Sequence, residues 1–386
     1  MKVLLRSPIS TYSGYGGDGI GLAQALMRYG ADVYLQATSV DAPLPQDVAN
    51  LLTKELAAPF DLYINHIDPG QLQCPDEIAP QVGVKVAWTM WEYSNLLNLA
   101  KRTRKTLRAR MKNFDVFVGY SDLDPACIEP YFDGPAFVQQ GGFDPTMWPY
   151  MFDRDWDTKE FYFAQIGVLS ERKDPWRTIE AFRLARSMDP EFWRWARLSL
   201  KTTAPGLHHK IEDLYRDIDP ETGDEFSSLR IFYDIWPTEV VRQFYKVQHC
   251  LLAPSRGEGK NVPALEFMST GGTVIATNWA GHTQWLDPAY SYPLAYTLEP
   301  VSSDFPETFN ARASIEDLAR LMIHVFQHRN EAHEKGELAA RIIPQAHSWD
   351  AVVAKLFLKL KDNLPAAQGE RLWTLAQIAR SEHADR

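Results

Sequence analysis

Apolar residues along this chain recur in two alternating rhythms. Short runs rich in valine, isoleucine, leucine and aromatic residues alternate with longer stretches of helical period, which predicts α/β layers on largely parallel sheets. In the first half the strand-like runs are KVLLR, ADVYLQA, FDLYINH, VKVAWTM, FDVFVGYS and AFVQQG. In the second half they are YFAQIGVLS, ARLSLKTT, LRIFYD, HCLLAPS and TVIATN, separated by helical patterns such as DPWRTIEAFRLARSM, TEVVRQFYKV and VPALEFMSTG. Between the halves, DPTMWPYMFDRDWDTKEF follows neither period and carries two prolines, which marks a connection. The expected organisation is one domain over residues 1–150, a second over 158–345, and C-terminal helices over 346–386 that pack back toward the first. Two such domains leave a cleft at the carboxyl ends of both sheets, where ligands bind in open α/β folds.

Composition agrees with this division. A chain of 386 residues is long for one core, and 45% hydrophobic residues with twelve tryptophans suffice for two. No apolar run approaches a membrane span, and the start MKVLLRSPIS has too short an apolar core for a signal peptide. Cys74, Cys127 and Cys250 lie far apart, which fits neither a disulfide framework nor a zinc cluster. The expected location is the cytoplasm. A net charge of −10 disfavours a surface uniformly coated for nucleic acid but leaves local patches open.

Two stretches carry candidate chemistry. In SGYGGDGIGLAQAL, Gly14, Gly16 and Gly19 satisfy G-x-G-x-x-G. In a dinucleotide site the first glycine directly follows a buried strand, and an acidic residue ends the next strand. Here KVLLR stops near Arg6, seven residues precede Gly14, and ADVYLQATS ends in Thr38 and Ser39 with Asp32 at its other end. Neither condition is met. The expectation is a flexible glycine-rich loop entering the helix IGLAQALMRYG, its backbone N–H groups able to approach an anion, or else a tight turn without a ligand.

The second stretch is RGEGKNVPALEFMSTGGTVIATNWAGHTQWL, directly after HCLLAPS. Glu258 lies in the loop leaving the strand, Pro263 favours a first helical turn, and Glu266 follows one turn later. A helix start suits a phosphate, Glu266 would accept two ribose hydroxyls, and Glu258 those of a sugar. Upstream, GVLSERKDPWRTIEAF places Arg172 and Lys173 after another strand, where two cations oppose a diphosphate most strongly as charge develops on it. Helix capping and a solvated loop beside Glu171 and Asp174 are the structural alternatives.

Glu258 and Glu266, with seven residues between them, resemble the E-x7-E motif of retaining glycosyltransferases with the GT-B fold, in particular the large fourth family in their usual classification. APSRGEG…VPALEFMSTGGTVIATNWAG is similar to that family's PS-x-x-E-G loop, helix and strand, and GVLSERKDPWRTIEAF resembles its G-R-L-x3-K-G segment with Lys173 at the lysine. Gly16–Gly17, a helix and YGADVYL resemble its GG…L…GHEV opening; FDVFVGYS and SWDAVVAKLF match further stations, so the likeness covers most of residues 1–363 in order. It implies two Rossmann-like doubly wound domains facing across a cleft. It also implies metal-independent transfer of a hexosyl-type sugar, with retention, from a UDP- or GDP-sugar to an acceptor hydroxyl, without a further cofactor. Arg172, Lys173, the helix start and Gly16–Gly17 would oppose the leaving diphosphate, and Lys260, Asn261, Val262 and Glu266 would line the donor.

Departures from that pattern also bear on the site. Val168 stands where an arginine is usual, so Arg172 replaces it or the diphosphate contact is weaker. Lys260–Asn261 stand for F-G, which alters sugar preference or adds a cation near the donor. Where the family has a histidine ending the VKVAWTM strand, TMWEYS offers Glu92, and His66 ending LYINH is the other candidate near the reacting carbon. A nucleotide-sugar epimerase of the same fold and a catalytically silent glycan- or nucleotide-binding protein are the competing readings.

The acceptor side rests on LLNLAKRTRKTLRARMKNF. It holds Lys101, Arg102, Arg104, Lys105, Arg108, Arg110 and Lys112 without an acidic residue, over an apolar stripe of Leu96, Ala100, Leu107 and Met111. Such a helix fits an anionic membrane leaflet, a DNA backbone or only solvent. Trp88, Trp91 and Tyr93 nearby suit stacking on a sugar or base, or a core. Asp122-Leu-Asp124 and Asp153-Arg-Asp155 match D-x-D, but read better as loop and cap residues, and His208–His209 lack partners at metal-ligand spacing.

Overall fold

The computed structural model describes residues 1–11, 13–41, 43–202 and 228–384. The chain forms two compact units: Met1–Asp144 with Pro300–Phe309 and Ala346–Arg386, and Pro145–Glu299 with Asn310–Gln345. The first holds β1 (Lys2–Ser10), β2 (Asp32–Asp41), β3 (Phe60–His66), β4 (Val82–Thr89), β5 (Val116–Gly119) and β6 (Ala136–Val138) in the order β2-β1-β3-β4-β5-β6, every pair parallel. Side chains alternate across this sheet, as the period of a strand requires. Val3 and Leu5 face Leu22 and Leu26 of the helix Gly14–Arg28, together with Val352, Leu356 and Phe357 of the helix Trp349–Asn363. Leu4, Tyr63 and Phe117 face the other way, toward Leu107 and Met111 of the helix Lys101–Met111. A Cβ on Gly21 would lie 2.0 Å from the Trp349 indole nitrogen, so the glycine admits that ring against the helix.

β1 runs four residues beyond Arg6, and β2 runs to Asp41. Pro8 is tolerated because the register against β2 shifts between Ser7 and Ile9, where a residue without an N–H breaks no regular ladder. Only residues 11–13 then separate the strand from Gly14, which opens the helix rather than a loop. The seven-residue gap and the missing acidic end expected from the sequence are thereby corrected. The glycines nevertheless do not act as in a dinucleotide site. There the second glycine leaves room for a pyrophosphate; here a Cβ on Gly16 would meet Ser10 Cβ at 2.4 Å, and one on Gly19 the Pro8 carbonyl at 2.3 Å. Both serve helix-on-strand packing.

The second unit holds β7 (Phe161–Ile166), β8 (Ala196–Lys201), β9 (Leu229–Phe232), β10 (Cys250–Ala253), β11 (Thr273–Thr277) and β12 (Tyr292–Leu294) in the order β12-β11-β10-β7-β8-β9, again parallel throughout. β7 and β10 are neighbours although β8 and β9 lie between them in sequence, so the winding reverses at this pair. That is the switch point at which an open parallel sheet exposes a crevice beyond its strand ends. β13 (Tyr296–Ser302) and β14 (Phe305–Ala313) form a separate two-stranded sheet that the apolar pattern does not announce. The stretch from Pro145 onward belongs to this unit, with Trp148, Arg154 and Trp156 buried in it. Among the described residues no helix is long and apolar enough to cross a membrane.

Candidate functional site

The loops that follow β7, β10 and β11 converge at the switch point. Each contains one non-glycine residue with positive φ: Asp174 at 47°, Asn261 at 69° and Ala280 at 51°. Left-handed backbone costs such residues about 1–2 kcal/mol each and persists where surrounding bonds enforce it. Asp174 caps the helix Pro175–Met188 by accepting the Arg177 N–H, and Asn261 precedes the helix Val262–Ser269. Ala280 precedes Gly281, whose N–H donates to the Glu258 carbonyl at 2.8 Å. A Cβ on Gly281 would sit 2.0 Å from the Gly259 carbonyl oxygen, so only glycine permits this approach.

Glu258 is enclosed at this convergence, only 4% exposed. Lys173 Nζ lies 2.5 Å from its Oε1 and Arg172 Nη1 3.1 Å from its Oε2. Burial alone would raise the Glu258 carboxyl, but Lys173 and then Arg172 hold it well below the usual carboxylate range. Arg172 also donates to the Gly257 carbonyl at 2.8 Å, and its own carbonyl accepts the Arg256 N–H at 2.7 Å. Sequence-distant cations are thus pre-ordered around one ionised carboxylate, leaving the cluster a net positive charge that an anion can share. Val168, beside them in sequence, is 51% exposed.

His282 belongs to the same cluster and was not singled out from the sequence, because a lone histidine in NWAGHTQWL carries no periodic or spacing signal. Its Nδ1–H donates to the Thr277 carbonyl at 2.9 Å, and its Nε2 accepts the Asn261 amide at 3.0 Å. Burial pushes it down to about 4 against the pull of Glu258, so the ring is neutral and works as a spacer between the β10 and β11 loops. Lys260 is buried, and the Trp285 indole donates to its carbonyl at 2.8 Å. Glu266 is partly buried on the helix Val262–Ser269; burial raises it to about 7, against a hydrogen bond from Tyr245 and the charge of Lys260. Val262 is the first residue of that helix.

The remaining candidates lie in the first unit. Gly16 and Gly17 sit in the first turn of Gly14–Arg28, where Ser13 caps Gly16 N–H at 3.0 Å; a Cβ on Gly14 or Gly17 would meet nothing within 4 Å. His66 is fully buried, its ring nitrogens 3.1 Å from Ser7 Oγ and 2.8 Å from the Tyr120 hydroxyl, which donates to Asp18 at 2.8 Å. Glu92 is partly buried after β4. Along Lys101–Met111 and Lys112, Arg104 and Arg110 donate to backbone carbonyls of Leu99 and Gly70 and Arg108 pairs with Asp133, while Lys101, Arg102, Lys105 and Lys112 face solvent. Trp88 and Trp91 are core residues. In the D-x-D pairs, Asp124 accepts the N–H groups of Tyr120 and Ser121, Asp153 pairs with Lys246, and Asp155 accepts those of Asp157 and Thr158. His208 and His209 lie outside the described residues.

No protein-family model and no curated protein matches the sequence. Solved structures match in fold. Sucrose-phosphate synthase from Thermosynechococcus elongatus aligns with a TM-score of 0.63 at 14% identity, over 94% of this chain and 98% of that one. Anabaena HepE in complex with UDP and glucose gives 0.65 at 13% identity, over 94% and 100%. The E. coli trehalose-6-phosphate protein bound with UDP-2-fluoro glucose gives 0.67 at 12% identity, over 95% and 100%. At these identities the likeness shows a shared fold, the GT-B arrangement of two Rossmann-like parallel sheets.

Proposed function

We propose that this chain is a retaining glycosyltransferase that moves a sugar from a nucleoside diphosphate to an acceptor hydroxyl. The observation that carries the reading is the ionised Glu258 buried between Arg172 and Lys173 at the switch point of the second sheet. Bond cleavage leaves a cationic sugar and an anionic diphosphate. Arg172, Lys173 and the start of Val262–Ser269 oppose the anionic charge, and Glu258 accepts hydroxyls of the sugar. With two fixed cations at the leaving group, the step needs no metal ion. Lys260, Asn261 and Val262 line the donor and Glu266 takes the ribose, while the first unit's own candidates are Gly16–Gly17 and His66 or Glu92. Two fold relatives solved with UDP or a UDP-sugar analogue support a uridine donor over other bases.

Thermal unfolding against UDP, GDP, ADP and NAD tests this on wild type and Glu266→Gln. One nucleoside diphosphate at about 100 times its Kd is expected to stabilise the wild type by about 2.7 kcal/mol, with most of the gain lost in the variant. Stabilisation by NAD alone, or by none, would sink the donor assignment.

The exposed face of Lys101–Met111 supports a polyanionic acceptor. Leu107 and Met111 are buried in the first unit's core, so its solvent-facing cations hold a partner by charge and not by inserted apolar side chains. This favours a phosphate backbone over a membrane leaflet. Binding to duplex DNA is expected to weaken with salt at a log–log slope of about −3 to −4, as for four neutralised phosphates. Retention on anionic vesicles but not DNA reverses that preference, and binding to neither removes the patch from the acceptor site.

A further inference from the structure

Glu266 is held by side chains that neither sequence motif contains. The Tyr245 hydroxyl donates to Glu266 Oε2 at 3.1 Å, and the Trp148 side chain is a second hydrogen-bond partner of the same carboxylate. Tyr245 is fully buried near the end of the helix Thr238–Val247, with its ring centroid 5.2 Å from that of Trp148 and edge-on to Phe267 at 5.3 Å. Its backbone is fixed in turn. The buried Arg154 guanidinium donates to the carbonyl of Tyr245 at 2.8 Å, to that of Gln248, and to the carbonyl and hydroxyl of Thr270 at 3.2 and 2.9 Å. It also lies 4.9 Å over the Phe267 ring. Arg154 thereby ties together the carboxyl ends of the two helices that carry Tyr245 and Glu266.

A glutamate side chain has three rotatable bonds, and an unheld carboxylate loses much of its binding free energy to ordering. With Oε2 anchored by Tyr245, the carboxylate plane is fixed, and the lone pairs that Tyr245 and Trp148 do not take remain to accept donors. We propose that Tyr245 is a positioning residue that orients Glu266 to accept the two vicinal hydroxyls of the donor's ribose, with Arg154 setting the spacing between the two helices. The inference rests on the donor reading above.

The test compares affinities for UDP, 2′-deoxy-UDP and 3′-deoxy-UDP, or the GDP or ADP series if one of those binds instead, in wild type, Tyr245→Phe and Glu266→Gln. Wild type is expected to bind each deoxy form at least roughly tenfold more weakly, the range of one lost hydrogen bond to a charged group. Tyr245→Phe keeps the ring packing and is expected to bind UDP more weakly while distinguishing the three ligands little, as Glu266→Gln does. A merely structural tyrosine would weaken all three ligands in parallel and leave their ratios unchanged, which overturns the inference. If Tyr245→Phe does not fold, Arg154→Lys, which loosens the helix end that carries Tyr245, is read the same way: intact ratios overturn the inference, and reduced ratios uphold it. A wild type that binds UDP but ignores the deoxy changes overturns the ribose role of Glu266 itself. Absence of binding to any of the three diphosphates overturns the donor reading.

Discussion

Lys173→Ala is expected to lower both stability and turnover, and the two losses separate in a double variant. Lys173 and Glu258 are 12% and 5% exposed at the side chain, so removing the ammonium leaves a buried carboxylate with Arg172 as its remaining counter-charge. Breaking a buried pair typically destabilises by about 3–5 kcal/mol, and Arg172 keeps the value toward the lower end. Release of UDP from UDP-glucose is expected to fall roughly 100- to 1,000-fold, the range for losing one fixed donor to a developing anion. Lys173→Ala combined with Glu258→Gln removes both charges, so much of the stability should return while turnover stays lost. Thermal unfolding and UDP release, measured on the three proteins, check this. Near-normal turnover in Lys173→Ala would remove the diphosphate role.

Two adjacent glycines give the second large effect. Gly17→Ala meets nothing within 4 Å in the protein itself, and alanine favours a helix over glycine by about 0.5–1 kcal/mol. Its fold should be at least as stable as wild type. If the donor phosphates approach this turn, the added methyl displaces them, and a shift of about 1 Å lowers kcat/KM on the order of 100-fold. Gly16→Ala is the contrast: its methyl would sit 2.4 Å from Ser10 Cβ, so the fold itself should lose about 1–3 kcal/mol, with or without ligand. Equal unfolding temperatures for Gly17→Ala and wild type, with equal kcat/KM, would show that no ligand comes near this helix start.

The contrast between these neighbours marks where sequence reading succeeds and stops. The pattern of parallel strands and helices is legible because both sheets are covered on both faces, leaving dense apolar runs at every central strand. Glu258 and Lys173 are legible through their place after strand-like runs. The extra length of β1 is not, since SPIS carries a proline and two serines and looks like a loop; only the register shift at Pro8 makes it a strand. β13 and β14 are equally hidden, because no side chain of β13 is fully buried and its short alternating run, YTLE, is cut by Pro300. His282, Tyr245 and Arg154 act through tertiary contacts between loops or helices, so no local spacing announces them. The glycines illustrate the same limit: one motif supplies packing at Gly16 and Gly19 and an open surface at Gly14 and Gly17, which only the surrounding atoms distinguish.

The first unit is discontinuous in the chain. Its sheet and the helix Gly14–Arg28 come from Met1–Asp144, but Trp349, Val352, Leu356, Phe357 and Leu372, which close one face of its core, come from the far end. On a ribosome adding about 5–20 residues per second, that face waits on the order of ten to fifty seconds for its cover. The second unit is synthesised in the meantime and can condense first. The nascent first unit therefore keeps an apolar face open through that interval, and the arrival of Trp349–Asn363, not emergence of its own strands, is the event that completes its folding.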